Sequence, residues 1–226
     1  KTSYNAFIDP SEVGRISKLS QEPTEESNGI EIVIAVKRDD CDEFYRKAVD
    51  LFAYFEVKPE VEGIDSDKFK EDSDKGGILV QGDNWKCFRK GESVAVMGNI
   101  AYPLDNYALD VSYSYGSNGD SQSNLRHSLL GSSILLKFNI GELEISASRE
   151  ALQYTETTKA AIIKKIDEVL KDIPQKIGDK FNECKTLWEA KCFWHETFAY
   201  GGVGYSLSDI VEKKGVVWNA QSIKDG

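Results

Sequence analysis

Apolar positions recur every second residue near the start of the chain, where Tyr4, Ala6 and Ile8 share one face and lead into the turn Asp9-Pro10-Ser11-Glu12. Residues 21–28 are polar, and Asn28-Gly29 is a strong turn signal. Ile30, Ile32 and Ile34 then share a face while Val33 is apolar on the other, which predicts a strand covered on both sides. The period changes to three and four at Phe44, Ala48, Leu51, Phe52 and Phe55, so a helix is expected from an Asp39 or Asp40 cap to about Phe55. Lys58-Pro59 ends it, and residues 62–77 read as a polar loop or boundary.

Short strands are expected around 78–80, 85–89 and 93–97, with turns at Gly82-Asp83-Asn84 and Lys90-Gly91. Residues 113–123 are rich in Ser, Gly and Asn and predict a mobile loop. Residues 133–140 predict a strand, Gly141-Glu142 a tight turn and residues 143–145 its return. The longest pattern is helical: Ile162, Ile163, Ile166, Val169, Leu170 and Ile173 follow a Thr155 or Thr157 cap. Pro174 is expected to kink or restart this helix, whose stripe continues through Ile177, Phe181, Cys184 and Trp188. The strand face Ile134, Leu136, Phe138 and Ile140 is uniformly apolar and is the expected partner of the helix. An aromatic, glycine-rich stretch from Phe193 to Tyr205 ends the pattern, and no internal repeat occurs.

The composition is globular, with 40% hydrophobic and 29% charged residues. A net charge of −10 disfavours sequence-independent nucleic-acid binding, because the chain repels a phosphate backbone. No apolar run reaches the roughly 20 residues of a membrane helix. The chain begins at Lys1 without methionine or signal peptide, and reads as part of something longer. Cys41, Cys87, Cys184 and Cys192 suit free thiols in a reducing compartment. A zinc reading would use Cys184, Cys192 and His195, but lacks a clear fourth ligand and the paired spacing of structural sites.

Spacing alone nominates little chemistry. The two histidines, His127 and His195, sit in no nucleophile-elbow or zinc-protease motif. Gly201-Gly202-Val203-Gly204 lacks the lysine of a P-loop and the preceding strand of a dinucleotide fingerprint, and so reads as a flexible loop. One segment stands out: a strand ending at Ser146, a Ser148 cap and a helical turn from Arg149 to Gln153. Two readings stay open there, a capped helix with a solvated arginine, or an elbow that holds Arg149 out as an anion-seeking fork.

Three stretches carry a resemblance: NGIEIVIAV (28–36), MGNIAYPLD (97–105) and KFNIGELEISASREAL (137–152). In that order they resemble the rapid-lysis rII A proteins of T-even-like and related phages, over a span from about Tyr4 to Leu170. That family is similar to a branch of the gyrase, heat-shock chaperone, histidine kinase and MutL ATPase superfamily. In the ninety-kilodalton chaperone a similar Ser-Arg-Glu-x-Leu-Gln motif lies in the middle, or transducer, domain. The resemblance implies that Arg149 meets an ATP γ-phosphate held by a neighbouring domain and that Gln153 supports the catalytic loop. The asparagine of that motif is Ser146 here. Gly29 corresponds to the glycine beside the adenine, where Ile30 replaces a threonine.

The superfamily's catalytic glutamate, magnesium-binding asparagine, Asp-x-Gly-x-Gly segment and lid do not occur in this sequence. ATP and magnesium are therefore expected only with the full-length protein, and the isolated chain is expected neither to bind nor to hydrolyse ATP appreciably. The implied architecture is α+β, with mixed sheets and helices packed on one face. Residues 1–60 would close an ATP-binding domain, 61–175 form the transducer, and 176–226 a helical, aromatic-rich extension. The implied role is lysis inhibition or exclusion in the host cytoplasm, with peripheral association at the inner face of the host inner membrane only in the full-length context. Implied partners are the upstream ATPase portion, a host or phage protein and a second copy of the chain, with no nucleic acid. The alternative is a non-enzymatic interaction module with vestigial ATPase ancestry, docking through Trp194, Phe198 and Tyr200.

Overall fold

The computed structural model describes residues 1–113, 121–199, 203–219 and 221. Two compact units divide the chain, Lys1–Cys41 and Asp42–Gly226. In the first, β1 (Thr2–Ile8) and β2 (Gly14–Gln21) form an antiparallel hairpin with Tyr4 opposite Lys18 and Ala6 opposite Ile16. Its turn is held by Asp9, whose Oδ1 accepts from the backbone N–H groups of Ser11 (2.9 Å) and Val13 (3.2 Å).

The strand expected at 30–36 does not form. Those residues take no regular structure, and Ile30 is 92% exposed. A strand needs a neighbouring edge to satisfy its backbone, and no described strand pairs with this one. A turn of 3₁₀ helix at Arg38–Asp40 follows, with Asp40 Oδ2 accepting from Lys37 N–H at 3.1 Å.

In the second unit α1 (Cys41–Phe52) stops three residues before the expected end, and its buried stripe is rotated. Tyr45, Ala48, Val49 and Phe52 are half-buried, whereas Phe44 and Leu51 are exposed. The reason is α2 (Ser66–Ser73), a helix in the stretch expected to be a loop, whose Phe69 meets Tyr45 and Phe52 edge-on at 5.7 and 6.2 Å. Asp65 caps α2 by accepting from Asp67 and Lys68 N–H groups, both at 3.1 Å.

The sheet runs in the order β3 (Ile78–Gln81), β4 (Trp85–Phe88), β7 (Ile134–Phe138), β5 (Val94–Met97), β6 (Ile100–Pro103). Every pairing is antiparallel except β5 with β7. Gly98, at φ 63°, takes the left-handed position of the two-residue β5–β6 turn. Between β6 and β7 runs α3 (Ser121–Leu130), so the expected loop is helical from Ser121, while residues 114–120 lie outside the described ones. β7 is central, with β4 and β5 on its two edges. Residues 143–145 therefore have no edge of β7 to return along, and the expected hairpin is absent.

The helix α4 (Glu156–Glu183) continues through Pro174 rather than restarting. The proline removes one backbone hydrogen bond, but burial of Ile173, Ile177 and Phe181 on either side keeps the helix on the core. Ile162, Ile166, Val169 and Ile173 share one core with Ile134, Leu136 and Phe138. Ile140 was expected on that face, but it lies beyond the end of β7 and is 87% exposed. α5 (Leu187–Trp194), a π-helical turn at His195–Ala199 and α6 (Val203–Lys213) complete the unit. Trp188 leaves the α4 stripe and is 75% exposed, because Thr186 caps a new helix there. Val203 and Gly204, expected in a flexible loop, open α6, and Gly201 and Gly202 lie outside the described residues. The opposite sheet face carries Phe88, Val94, Val96 and Leu135, with Tyr54 packed against them. The fold is α+β.

Candidate functional site

The segment around Arg149 is a braced loop, not a strand leading into a helical turn. Ile145 bridges Leu152 in antiparallel fashion. Next to that bridge Gln153 N–H donates to Glu144 O at 2.9 Å, and Ser146 N–H donates to Ala151 O at 2.8 Å. The expected helix yields to this pairing because Arg149 has a left-handed backbone at φ 62°, which a right-handed helix cannot contain. Ser148 does not cap; its hydroxyl lies 3.0 Å from that of Ser146, which also accepts from Ala151 N–H at 3.3 Å.

The base of the loop is tied to the fold on two sides. Thr155 caps α4 and donates its hydroxyl proton to Glu144 Oε1 at 2.9 Å, and Glu144 N–H donates to Thr158 Oγ1 at 3.1 Å. Tyr154 accepts from Asp105 N–H at 2.8 Å, next to the end of β6. Burial and the neighbouring Asp105 charge push the Tyr154 phenol upward, and the hydrogen bond it accepts opposes them. Leu143 and Leu152 are buried beneath the loop. Above that platform Arg149 is exposed and makes no ion pair or side-chain hydrogen bond with any described residue. Glu150 and Glu156, the expected partners of a structural ion pair, do not clamp it.

Gln153 is exposed at the base of the same loop, where its N–H holds Glu144 O, and Arg149 lies beyond the 145–152 bridge, alongside exposed Ser148 and Glu150. Gly29 is exposed in the first unit, with nothing within 4 Å of where a Cβ would stand and no positive φ. Neither conformation nor close approach among the described residues calls for glycine at that position.

Of the aromatics expected to dock, Phe198 is buried and Trp194 half-buried. Phe198 is 3% exposed, its ring 4.7 Å from that of Trp194, and Phe193 meets Phe181 at 5.1 Å. Tyr200 lies outside the described residues. No group of three or more His, Cys, Asp or Glu side chains among the described residues is arranged to hold a metal ion. No helix among them is long and apolar enough to cross a membrane.

A second feature, which no motif announces, is a cavity of about 620 Å³ at the C-terminal ends of β5 and β7, lined in part by Lys137, Lys165 and three asparagines. Its components come from five separate stretches of chain, and only the sheet order brings them together. No family model, curated protein or solved structure matches this chain.

Proposed function

We infer that this chain is a transducer segment, coupling the nucleotide state of a neighbouring ATPase domain to domain movement or partner binding in a phage lysis-inhibition or exclusion protein. The observation that carries the reading is Arg149 itself. A permanently charged planar fork stands exposed, with no ion-pair partner among the described residues, on a loop whose backbone is pinned by paired hydrogen bonds. A left-handed non-glycine residue costs on the order of 1–3 kcal/mol and persists where the surroundings enforce it, a pattern concentrated at functional sites. Bidentate geometry and a fixed charge suit a terminal phosphate better than a lysine would. Magnesium and the phosphate cradle belong to the neighbouring domain in this reading, and the chain's own contribution is Arg149, with Gln153 at the base of the same loop.

The test uses a protein that carries both this chain and the ATPase portion, with turnover and melting temperature of Arg149→Ala measured side by side. Turnover should fall by about 10³-fold if Arg149 acts as a trans arginine finger, with melting unchanged. Unchanged turnover with depressed melting would leave Arg149 a structural residue. The second reading, a protein-interaction module with vestigial ATPase ancestry, is favoured by the exposed apolar run at 30–36. It requires turnover that is absent from the complete protein altogether.

A further inference from the structure

The cavity at the carboxyl ends of β5 and β7 is built from both faces of the sheet. Along β7, Ile134, Leu136 and Phe138 face α4, and Leu135 faces the opposite core with Val94 and Val96. Alternation puts Lys137 on the Leu135 face, where its ammonium pairs with Glu56 from the segment after α1. Phe138 lies on the other face, and the ammonium of Lys165 from α4 sits 5.3 Å from its ring centroid. The two lysines therefore reach one rim from opposite sides.

The rim itself is polar. Asn84 comes from the β3–β4 turn, Asn99 from the β5–β6 turn, and Asn139 follows β7. The pair β5–β7 is the parallel one, and beyond its carboxyl ends the chains leave for different neighbours. That arrangement opens a crevice at strand ends, the place where open sheets bind ligands. A volume of about 620 Å³ lies within the usual range of about 300–1,000 Å³ for small-molecule sites.

The charge is what selects the ligand. The chain carries 38 acidic against 28 basic residues, yet this lining holds two lysines and one glutamate. Lys165 has no carboxylate within ion-pair distance among the described residues. It faces an aromatic ring instead. The Glu56 side chain of this pair is 70% exposed, and an exposed ion pair contributes little, so an incoming anion can displace it at little cost.

The geometry points to a binding site for a small organic anion, one carboxylate or phosphate group held between Lys137 and Lys165 and an apolar body on the Tyr54 side of the cavity. The asparagine amides complete the polar rim. This site lies wholly within the second unit and does not depend on Arg149.

The experiment is calorimetry and amide-shift titration of the 226-residue chain with phenyl phosphate, benzoate and the uncharged benzyl alcohol. Saturable binding of phenyl phosphate or benzoate, with shifts at Lys137, Asn139 and Asn99, is the expected result, and the tighter of the two names the head group. Lys137→Gln and Lys165→Gln should each weaken binding by about tenfold, the size of one charge-assisted hydrogen bond, at unchanged melting temperature. Glu56→Gln, which frees Lys137, should tighten it. Equal binding of benzyl alcohol, no saturable binding of either anion, or full affinity in both lysine variants would each overturn the proposal.

Discussion

The indole N–H of Trp85 on β4 donates to Asp172 Oδ2 on α4 at 2.9 Å, tying the sheet to the long helix across 87 residues of chain. Gly82 makes room for that bond. A Cβ there would overlap Trp85 Nε1 and stand 2.6 Å from Asp172 Oδ2. Gly82→Ala is expected to break the pair, and Trp85→Phe to remove it with little loss of packing. Each should lower stability by about 1–3 kcal/mol in denaturant unfolding, the penalty of stranding a half-buried carboxylate. Gly82→Ala with wild-type stability would show that the turn moves freely.

Ile166 is fully buried in the core that joins α4 to the sheet. Ile166→Ala should cost about 2–5 kcal/mol, as a large-to-small change in a packed interior. A loss under about 0.5 kcal/mol, the range of surface changes, would place the helix elsewhere.

Arg149→Gly separates backbone from side chain. Glycine adopts the left-handed conformation that Arg149 holds at φ 62° without the Cβ penalty, so the loop should keep its shape. Greater freedom in the unfolded chain offsets part of the gain. The variant is therefore expected to melt within about 1 kcal/mol of the parent, while losing any phosphate-dependent activity. A clearly lower melting point would point to a structural contact of the guanidinium.

Burial pushes the Cys87 thiol up to about 12, with the hydrogen bond to Ser132 opposing weakly. The reactive thiolate is then nearly absent at neutral pH. A thiol reagent should modify exposed Cys41 quickly and Cys87 only on unfolding. Fast labelling of both in the native chain would contradict the burial of β4.

Asp9 is held down at about 2, chiefly by the Ser11 hydroxyl and then by Arg15 and Val13 N–H. A depressed carboxyl stabilises the fold above its unfolded value of 3.8, and that contribution fades as pH falls from there toward 2. The Ser11 and Val13 amide shifts should report one transition centred near 2, with the turn between β1 and β2 loosening below it. A midpoint at the ordinary aspartate value would mean that the turn is not held this way.

Local patterning determined much of the second unit. The α4 stripe at Ile162, Ile166, Val169 and Ile173, the Thr155 cap and the strands at 78–81, 85–88, 94–97 and 134–138 follow from side-chain period and capping chemistry, both short-range properties. A signal for α2 was also present, since Asp65 precedes two N–H groups it can cap, but its few apolar residues hid the helix. Pairing partners are a different matter. The central place of β7 denied residues 143–145 their expected return and left 145 to bridge 152, turning an anticipated helix start into a braced loop with Arg149 at φ 62°. The strand signal at 30–36 was equally clear, but a strand's hydrogen bonds come from another segment, and no described one supplies them. Helices satisfy their own backbones and so can be read along the chain, whereas strand edges and sites gathered from both sheet faces, such as Lys137 with Lys165, exist only once distant segments meet.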